Sequence, residues 1–431
     1  MTKDLRKQAW IVTIAALGAN LGIGVLYSWS IIARFLQEDL GWSSTEAQIP
    51  YMIACGVFAL MMVPGGRAQD KLGPRIVITI GGMFVGLGFI LSYFWLTLTG
   101  LAICFGVIVG TGIGAVYCST TPSAVKWFGP EKRGLISGIV VSGFGGAPIF
   151  VAPLSEFLIL NVGLEITLLI LGAIFLAAIV LFAQLVRVPP KGYIPPSSGA
   201  ETQIKMKENE EGKTVKTDFD WYEVLRYPRF YLLWIMFCFS ALAGLMMIGH
   251  LSTIAVEQTG ASLGFYLVGT LAVFNALGRI GAGHTQDKWG RVNTMYLIFG
   301  LQAVNFLLFD FYTTIPLMML GTVVAGYCYG ALLSVFPSTT AHLFGVKNLG
   351  INYGLLFTSW GIGGVAGGYL GGMVRDITGT YSGAYLTAAA LLVVCVVFTY
   401  FTRKPVEPTY QDSEESEEYA PSQSVKKGEA V

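Results

Sequence analysis

Twelve stretches of apolar sequence, each about the length of a membrane-crossing helix, leave this chain few architectures to choose from. A helix needs about 20 mostly apolar residues to cross the hydrocarbon core. The stretches run near 10–33, 46–66, 76–96, 98–122, 135–160, 164–187, 229–256, 262–285, 293–312, 315–341, 350–373 and 381–402. Composition agrees. The 431 residues are 54% apolar and 12% charged, about half the charge a soluble domain carries, so the surface cannot face water throughout. The 54 glycines suit helices that pack closely in lipid. A net charge of +1 argues against nucleic acid as the main partner.

The polar stretch 188–228 holds two Pro-Pro pairs and reads as a linker between an N-terminal bundle (1–187) and a C-terminal one (229–402). The acidic tail 403–431 (DSEESEEY) reads as disordered. The basic start MTKDLRKQAW leads into an apolar run with no small-residue cleavage site, and reads as a retained first span. Of 27 Lys and Arg, Arg34 and Arg375 fall at one membrane face and Arg279 inside a span. The rest gather at the other face with the termini and linker. That bias predicts a multi-pass protein of the cell (inner or plasma) membrane with both termini in the cytoplasm. The six cysteines lie in apolar runs without a C-x-x-C pair, as buried packing residues would. No metal spacing, nucleotide-binding loop or nucleophile–base pair is visible, so neither a cofactor nor an enzyme is expected.

The chain repeats. GGRAQDKLGPR (65–75) follows span 2 and GAGHTQDKWGR (281–291) follows span 8, with Asp70 and Asp287 217 residues apart. WFGPEKRGLISG (127–138) follows span 4 and LFGVKNLGINYG (343–354) follows span 10, offset by 216. The expected fold is therefore an all-α membrane protein, twelve transmembrane helices in two pseudo-symmetric six-helix bundles, with a ligand near the midplane between them.

Arg279, in FYLVGTLAVFNALGRIGAG, is the informative residue. Burying an arginine there costs several kcal/mol unless it is paired or wet, and no acid lies mid-span. The simplest counter-ion is the ligand, a carboxylate that a guanidinium can hold by two parallel hydrogen bonds. The alternative is an arginine that snorkels to the surface or pairs with backbone carbonyls. Asn275 lies four residues earlier on the same helix face, suited to a second ligand group or to a neighbouring helix. Tyr27, Tyr117 and Tyr329 are polar candidates for a cavity wall. His250 is suited either to carrying a proton or to a structural hydrogen bond.

The paired loops resemble the signature of the major facilitator superfamily. That resemblance implies a charge latch of Asp70 with Arg75 and of Asp287 with Arg291, or simply ties between helix ends. It also implies that spans 1, 4, 7 and 10 line the cavity. TDFDWYEVLRYPRFYLLWIMF (217–237) and NYGLLFTSWG (352–361) resemble the oxalate/formate antiporters. The N-x-x-x-R of span 8 is similar to the Asp and Arg, four apart, of the monocarboxylate transporters. The resemblance implies Arg279 on the carboxylate, with Asn275, Tyr117, His250 and Tyr329 around it and Leu333 and Phe357 as apolar walls. Two departures narrow this. Trp360 stands where the oxalate/formate antiporters carry a second cation, so charge favours one carboxylate. Asn275 stands where the monocarboxylate transporters carry an acid, so the proton's path is open. The expected function is a secondary transporter of small monocarboxylates of the lactate or pyruvate type, coupled to a proton. The alternatives are a carboxylate exchanger and, behind it, a non-transporting carboxylate sensor.

Overall fold

The computed structural model describes residues 3–128, 130–190, 193, 214–215, 219–345, 348–402 and 410–411. Among them, eleven helices are long and apolar enough to cross a membrane. They are span 1 (Leu5–Leu40), span 2 (Ser44–Gln69), span 3 (Pro74–Phe94), span 4 (Leu98–Val125), span 5 (Leu135–Val162) and span 6 (Leu164–Leu185). Span 7 (Pro228–Thr259), span 8 (Gly264–Gln286), span 9 (Arg291–Phe311), span 10 (Ile315–Phe344) and span 12 (Ser382–Phe401) follow. Span 11 is the helix Leu349–Thr378, 30 residues long but diluted in hydropathy by its glycines. Those glycines are buried against spans 2 and 7, where side chains would hold the helices apart. The result is an all-α bundle of two six-helix halves. The exception is a two-residue antiparallel ladder, Thr214–Val215 with Tyr410–Gln411, which joins two segments of the expected linker and tail.

Two spans are broken where they pass the centre. Span 1 tightens into a 3-10 segment over Gly24–Ser28. Span 5 divides between the helices Pro130–Gly146 and Pro148–Val162, because Pro148 has no N–H to give the Phe144 carbonyl one turn back. The breaks face each other: a Cβ on Gly24 would run into the Phe144 carbonyl.

The halves touch along spans 2 and 11 and along spans 5 and 8. The linker end of the bundle is where span 6 finishes and span 7 begins; the far end is opposite. Among the described residues, the polar contacts between halves cluster at the far end. The Asp376 carboxylate accepts from Ser44 N (2.8 Å) and Thr45 N (2.9 Å), the first two N–H groups of the span 2 helix. Ser43 Oγ accepts the next, from Glu46. These N–H groups have no partner within the helix, and the helix dipole makes a carboxylate there favourable.

Glu156 acts likewise in the other pair of spans. Its Oε2 accepts from Phe265 N at the start of span 8 (3.2 Å), and its Oε1 takes Arg34 Nη2 (3.3 Å). Arg34 Nη1 donates to Ser262 Oγ (2.9 Å). Glu156 and Asp376 are 220 residues apart, as are Ser44 and Gly264, so the repeat builds the same carboxylate-to-helix clamp twice. Arg34 was expected beyond the end of span 1. The helix instead continues past the apolar run to Leu40 and buries Arg34 to 4% exposure, its charge answered by Glu156 at 5%.

Removing one partner of such a buried pair costs about 3 kcal/mol. The exposed Asp376 clamp is worth about 1 kcal/mol. Glu156→Gln should therefore open the far end more than Asp376→Asn. The readout is the labelling rate of Ser252→Cys, a buried far-end site, by a membrane-impermeant maleimide in a background free of the native cysteines. Equal rates in both variants and the parent would show that the clamps do not hold the halves.

Candidate functional site

Span 8 carries Asn275 and Arg279 on one face into the contact with span 5. Span 10 presses close behind. A Cβ on Gly330 would overlap the Asn275 carbonyl, and one on Gly278 would overlap the Tyr327 carbonyl. The backbones thus meet directly, and span 8 cannot turn its polar face toward lipid.

Arg279 is 6% exposed and Asn275 is fully buried. Arg279 Nε donates to Asn275 Oδ1 (3.0 Å) and Nη1 donates to the Val141 carbonyl of span 5 (2.8 Å). Nη2 has no partner, nor has Asn275 Nδ2. Among the described residues, no carboxylate stands within ion-pair distance of the guanidinium. The arginine is thus bonded to two neutral acceptors, one a backbone carbonyl. Its charge and two neighbouring donors remain unanswered. Neutral acceptors satisfy hydrogen-bonding geometry, but they do not cancel a buried charge.

An aromatic cluster lies beside it. The Tyr27 and Tyr329 hydroxyls are 2.8 Å apart, joining span 1 to span 10. Trp360 Nε1 donates to the Tyr329 hydroxyl (2.8 Å). Phe144 stands edge-on to Tyr27 (4.7 Å) and to Tyr117 (5.3 Å), and Phe357 stacks on Trp360 (5.0 Å). Phe58 touches rings from both halves. Phe144 of this cluster is the chain neighbour of Gly145, where a Cβ would lie 3.0 Å from Arg279 Nη2. A single cation beside an apolar aromatic wall with a few hydroxyls matches a small anion with an apolar body.

The structure therefore brings Arg279, Asn275, Tyr27, Tyr117, Tyr329 and Phe357 to one region. Leu333 lies one turn beyond Tyr329 on span 10, half-buried. His250 is placed elsewhere, between spans 7 and 11 toward the far end. Its Nε2 faces the Gly368 carbonyl (3.1 Å) and its Nδ1 faces the Tyr381 hydroxyl (3.1 Å). A carbonyl only accepts, so Nε2 carries the proton and, in the neutral ring, Nδ1 accepts from Tyr381. Arg75 Nε donates to Gln184 Oε1 (3.0 Å), tying span 3 to span 6. Arg291 opens the helix Arg291–Leu308. The side chains of Asp70 and Asp287 lie outside the described residues. Sequence reasoning missed Val141, which acts through its backbone, and Phe58 and Phe144, whose rings resemble ordinary packing. It weighed Trp360 only as a missing charge. The run GFGGAP (143–148) was the available signal that span 5 breaks beside the site.

Two six-helix bundles of membrane-spanning length, meeting along spans 2 and 11 and spans 5 and 8, have the architecture of transporters built from repeated bundles. A model of the Major Facilitator Superfamily matches residues 9–309 and 267–428, and the chain belongs to that family. It is 28% identical over 386 residues to the oxalate:formate antiporter of Oxalobacter formigenes, spanning 88% of this chain and 87% of that one. It is 24% identical to monocarboxylate transporter 13 of Rattus norvegicus, over 89% and 86% of the two chains. Its fold is similar to a crystal structure of a bacterial homologue of the human lysosomal transporter Spinster, captured inward-facing and unoccupied. The TM-score is 0.63 at 16% identity, covering 93% of this chain and 96% of that one.

An aspartate at 275 would put a carboxylate where the amide oxygen now takes Nε. The guanidinium would then have its own counter-ion, and an external anion would have to displace it or await its protonation. Asn275→Asp should lower carboxylate affinity about tenfold or more near neutral pH, with recovery as the pH falls through the new acid's pKa. Isothermal titration across pH reads this out. Binding that ignores pH would show that Arg279 is not where the anion sits.

Proposed function

We propose that this chain moves small monocarboxylates, of the lactate and pyruvate type, across the cell membrane by alternating access around Arg279, together with a proton. The observation that carries this reading is the buried guanidinium whose partners are all neutral. Nη2 of Arg279 and Nδ2 of Asn275, on two hydrogen-bonded side chains, are buried donors in need of an acceptor. A carboxylate supplies both the acceptors and the charge. Trp360 fills the place of a second cation with a ring stacked on Phe357, which favours one carboxylate over two. The oxalate:formate antiporter and the monocarboxylate transporter are both named for small carboxylates, formate among them a monocarboxylate. In the proposed cycle both termini face the cytoplasm. An open site lets water solvate Arg279, and occlusion expels that water. The crossing is cheap only with an anion aboard.

A second reading, exchange of one carboxylate for another, draws on a specific observation. Asn275 does not titrate, and both nitrogens of His250 are engaged away from the site. Among the described residues, the immediate contacts of Arg279 therefore offer no proton carrier. An exchanger needs none.

Flux into proteoliposomes tests both. Uptake of labelled lactate or pyruvate into vesicles free of internal substrate, driven by an acidic exterior alone, supports symport. Strict dependence on internal carboxylate supports exchange. In either case, Arg279→Ala should cut uptake of every carboxylate by about a hundredfold or more, for loss of a charged, bidentate contact of about 3 kcal/mol. Transport retained by the folded variant would refute the site.

A further inference from the structure

On the reading that Arg279 holds the substrate carboxylate, we infer that Gly145 of span 5 is the specificity-determining residue of the site. It is the position whose missing side chain lets the corner of the guanidinium with the free donor lie against span 5.

Span 5 meets Arg279 with two residues one turn apart. Val141 offers its carbonyl to Nη1. Gly145 offers nothing, and a Cβ built there would lie 3.0 Å from Nη2, 3.2 Å from Cζ and 3.1 Å from Asn275 Oδ1. Those atoms mark the corner at which the guanidinium has a free donor, in a residue 94% buried by its 6% exposure. The guanidinium thus packs directly on this glycine at the corner that carries its free donor. A methyl there would press on that corner, and a larger side chain would displace the guanidinium from it.

The repeat supports the same conclusion independently. Gly361 of span 11 lies 216 residues after Gly145, the spacing of the duplicated loops on spans 5 and 11. At that equivalent crossing the space over the glycine is filled by the Ala59 methyl of span 2. The duplicated glycine thus marks a close helix crossing in both halves. Only at Gly145 does the crossing hold a charged group with an unpartnered donor.

Crowding beside a binding group discriminates by size, and one methylene in a close-fitting site is worth roughly 10- to 200-fold. Gly145→Ala should therefore weaken ligands in proportion to bulk next to the carboxylate. Formate should lose little, acetate more, and lactate and 2-hydroxyisobutyrate the most, on the order of tenfold or beyond. The effect should fall on KM in proteoliposome uptake, with kcat largely kept. Gly146→Ala is the control, since a Cβ on Gly146 would meet only Ile149 Cδ1 at 3.9 Å, and it should behave as the parent.

Uptake and competition should be measured for these four anions in the parent, Gly145→Ala, Gly146→Ala and Arg279→Ala. A loss graded by size in Gly145→Ala alone supports the inference. Loss equal for all four anions, or no loss, overturns it. Arg279→Ala separates the two claims. If it still takes up carboxylates, the reading of the site has failed. If it is inactive while Gly145→Ala matches the parent, only the assignment of Gly145 falls.

Discussion

A guanidinium taken out of water and given only neutral acceptors is the interaction around which this molecule is organised. Arg279 makes two good hydrogen bonds, to Asn275 Oδ1 and to the Val141 carbonyl. Neither removes its charge, and the free Nη2 leaves the local accounting one acceptor short. Arg34 shows the contrast within the same chain. It too is buried, but Glu156 neutralises it. One buried arginine is tied into an ion pair and the other is left without a counter-ion among the described residues, and the proposed binding role of Arg279 rests on that difference.

The frame around Arg279 follows from backbone chemistry. Pro148 deprives Phe144 of its helical donor, and the 3-10 turn of span 1 fits against that break. Phe144 and Tyr27 are placed in contact by these two irregularities. Irregular backbone is tolerated at membrane depth only where protein or a cavity surrounds it, so the breaks themselves mark the interior of the bundle. At the far end, Glu156 and Asp376 cap helices of the opposite half with their carboxylates. Most polar contacts between the halves are thus gathered at one end, away from the centre.

Much of this was legible in the sequence, for reasons that differ from residue to residue. Hydropathy reports spans faithfully because lipid forbids unpaired backbone. Span 11 was legible by position, although its glycines dilute the signal. Arg279 stood out because a charge in an apolar run demands a partner. The partners it has were hidden. Val141 contributes a carbonyl that every residue owns, and Gly145 contributes the lack of a side chain. Arg34 read as lying beyond its span because the helix outlasts its apolar run. Glu156, an acid within PLSEFLIL, was the available clue to that extension. His250 showed a titratable ring in a span, but Gly368 and Tyr381, which occupy both its nitrogens, lie 118 and 131 residues away and meet it only through the packing of span 7 on span 11.

The duplication also explains why the site is one-sided. With the repeat spacing of 216, Val141 corresponds to Phe357 and Phe144 to Trp360; with 217, Asn275 corresponds to Phe58. At one crossing Phe58 packs on Phe357 and Trp360, and the contact is aromatic. At the equivalent crossing Asn275 and Arg279 pack on Val141 and Gly145, and the contact is polar and charged. The C-terminal half thus brings the cation and the N-terminal half brings a neutral carbonyl acceptor. Any motion that parts span 8 from span 5 takes Val141 away from Nη1 and widens the deficit of acceptors. On the proposed function, the arginine takes water while the crossing is open and an anion while it is closed. One side chain, unmatched in its repeat partner, would then couple the state of the bundle to what is bound.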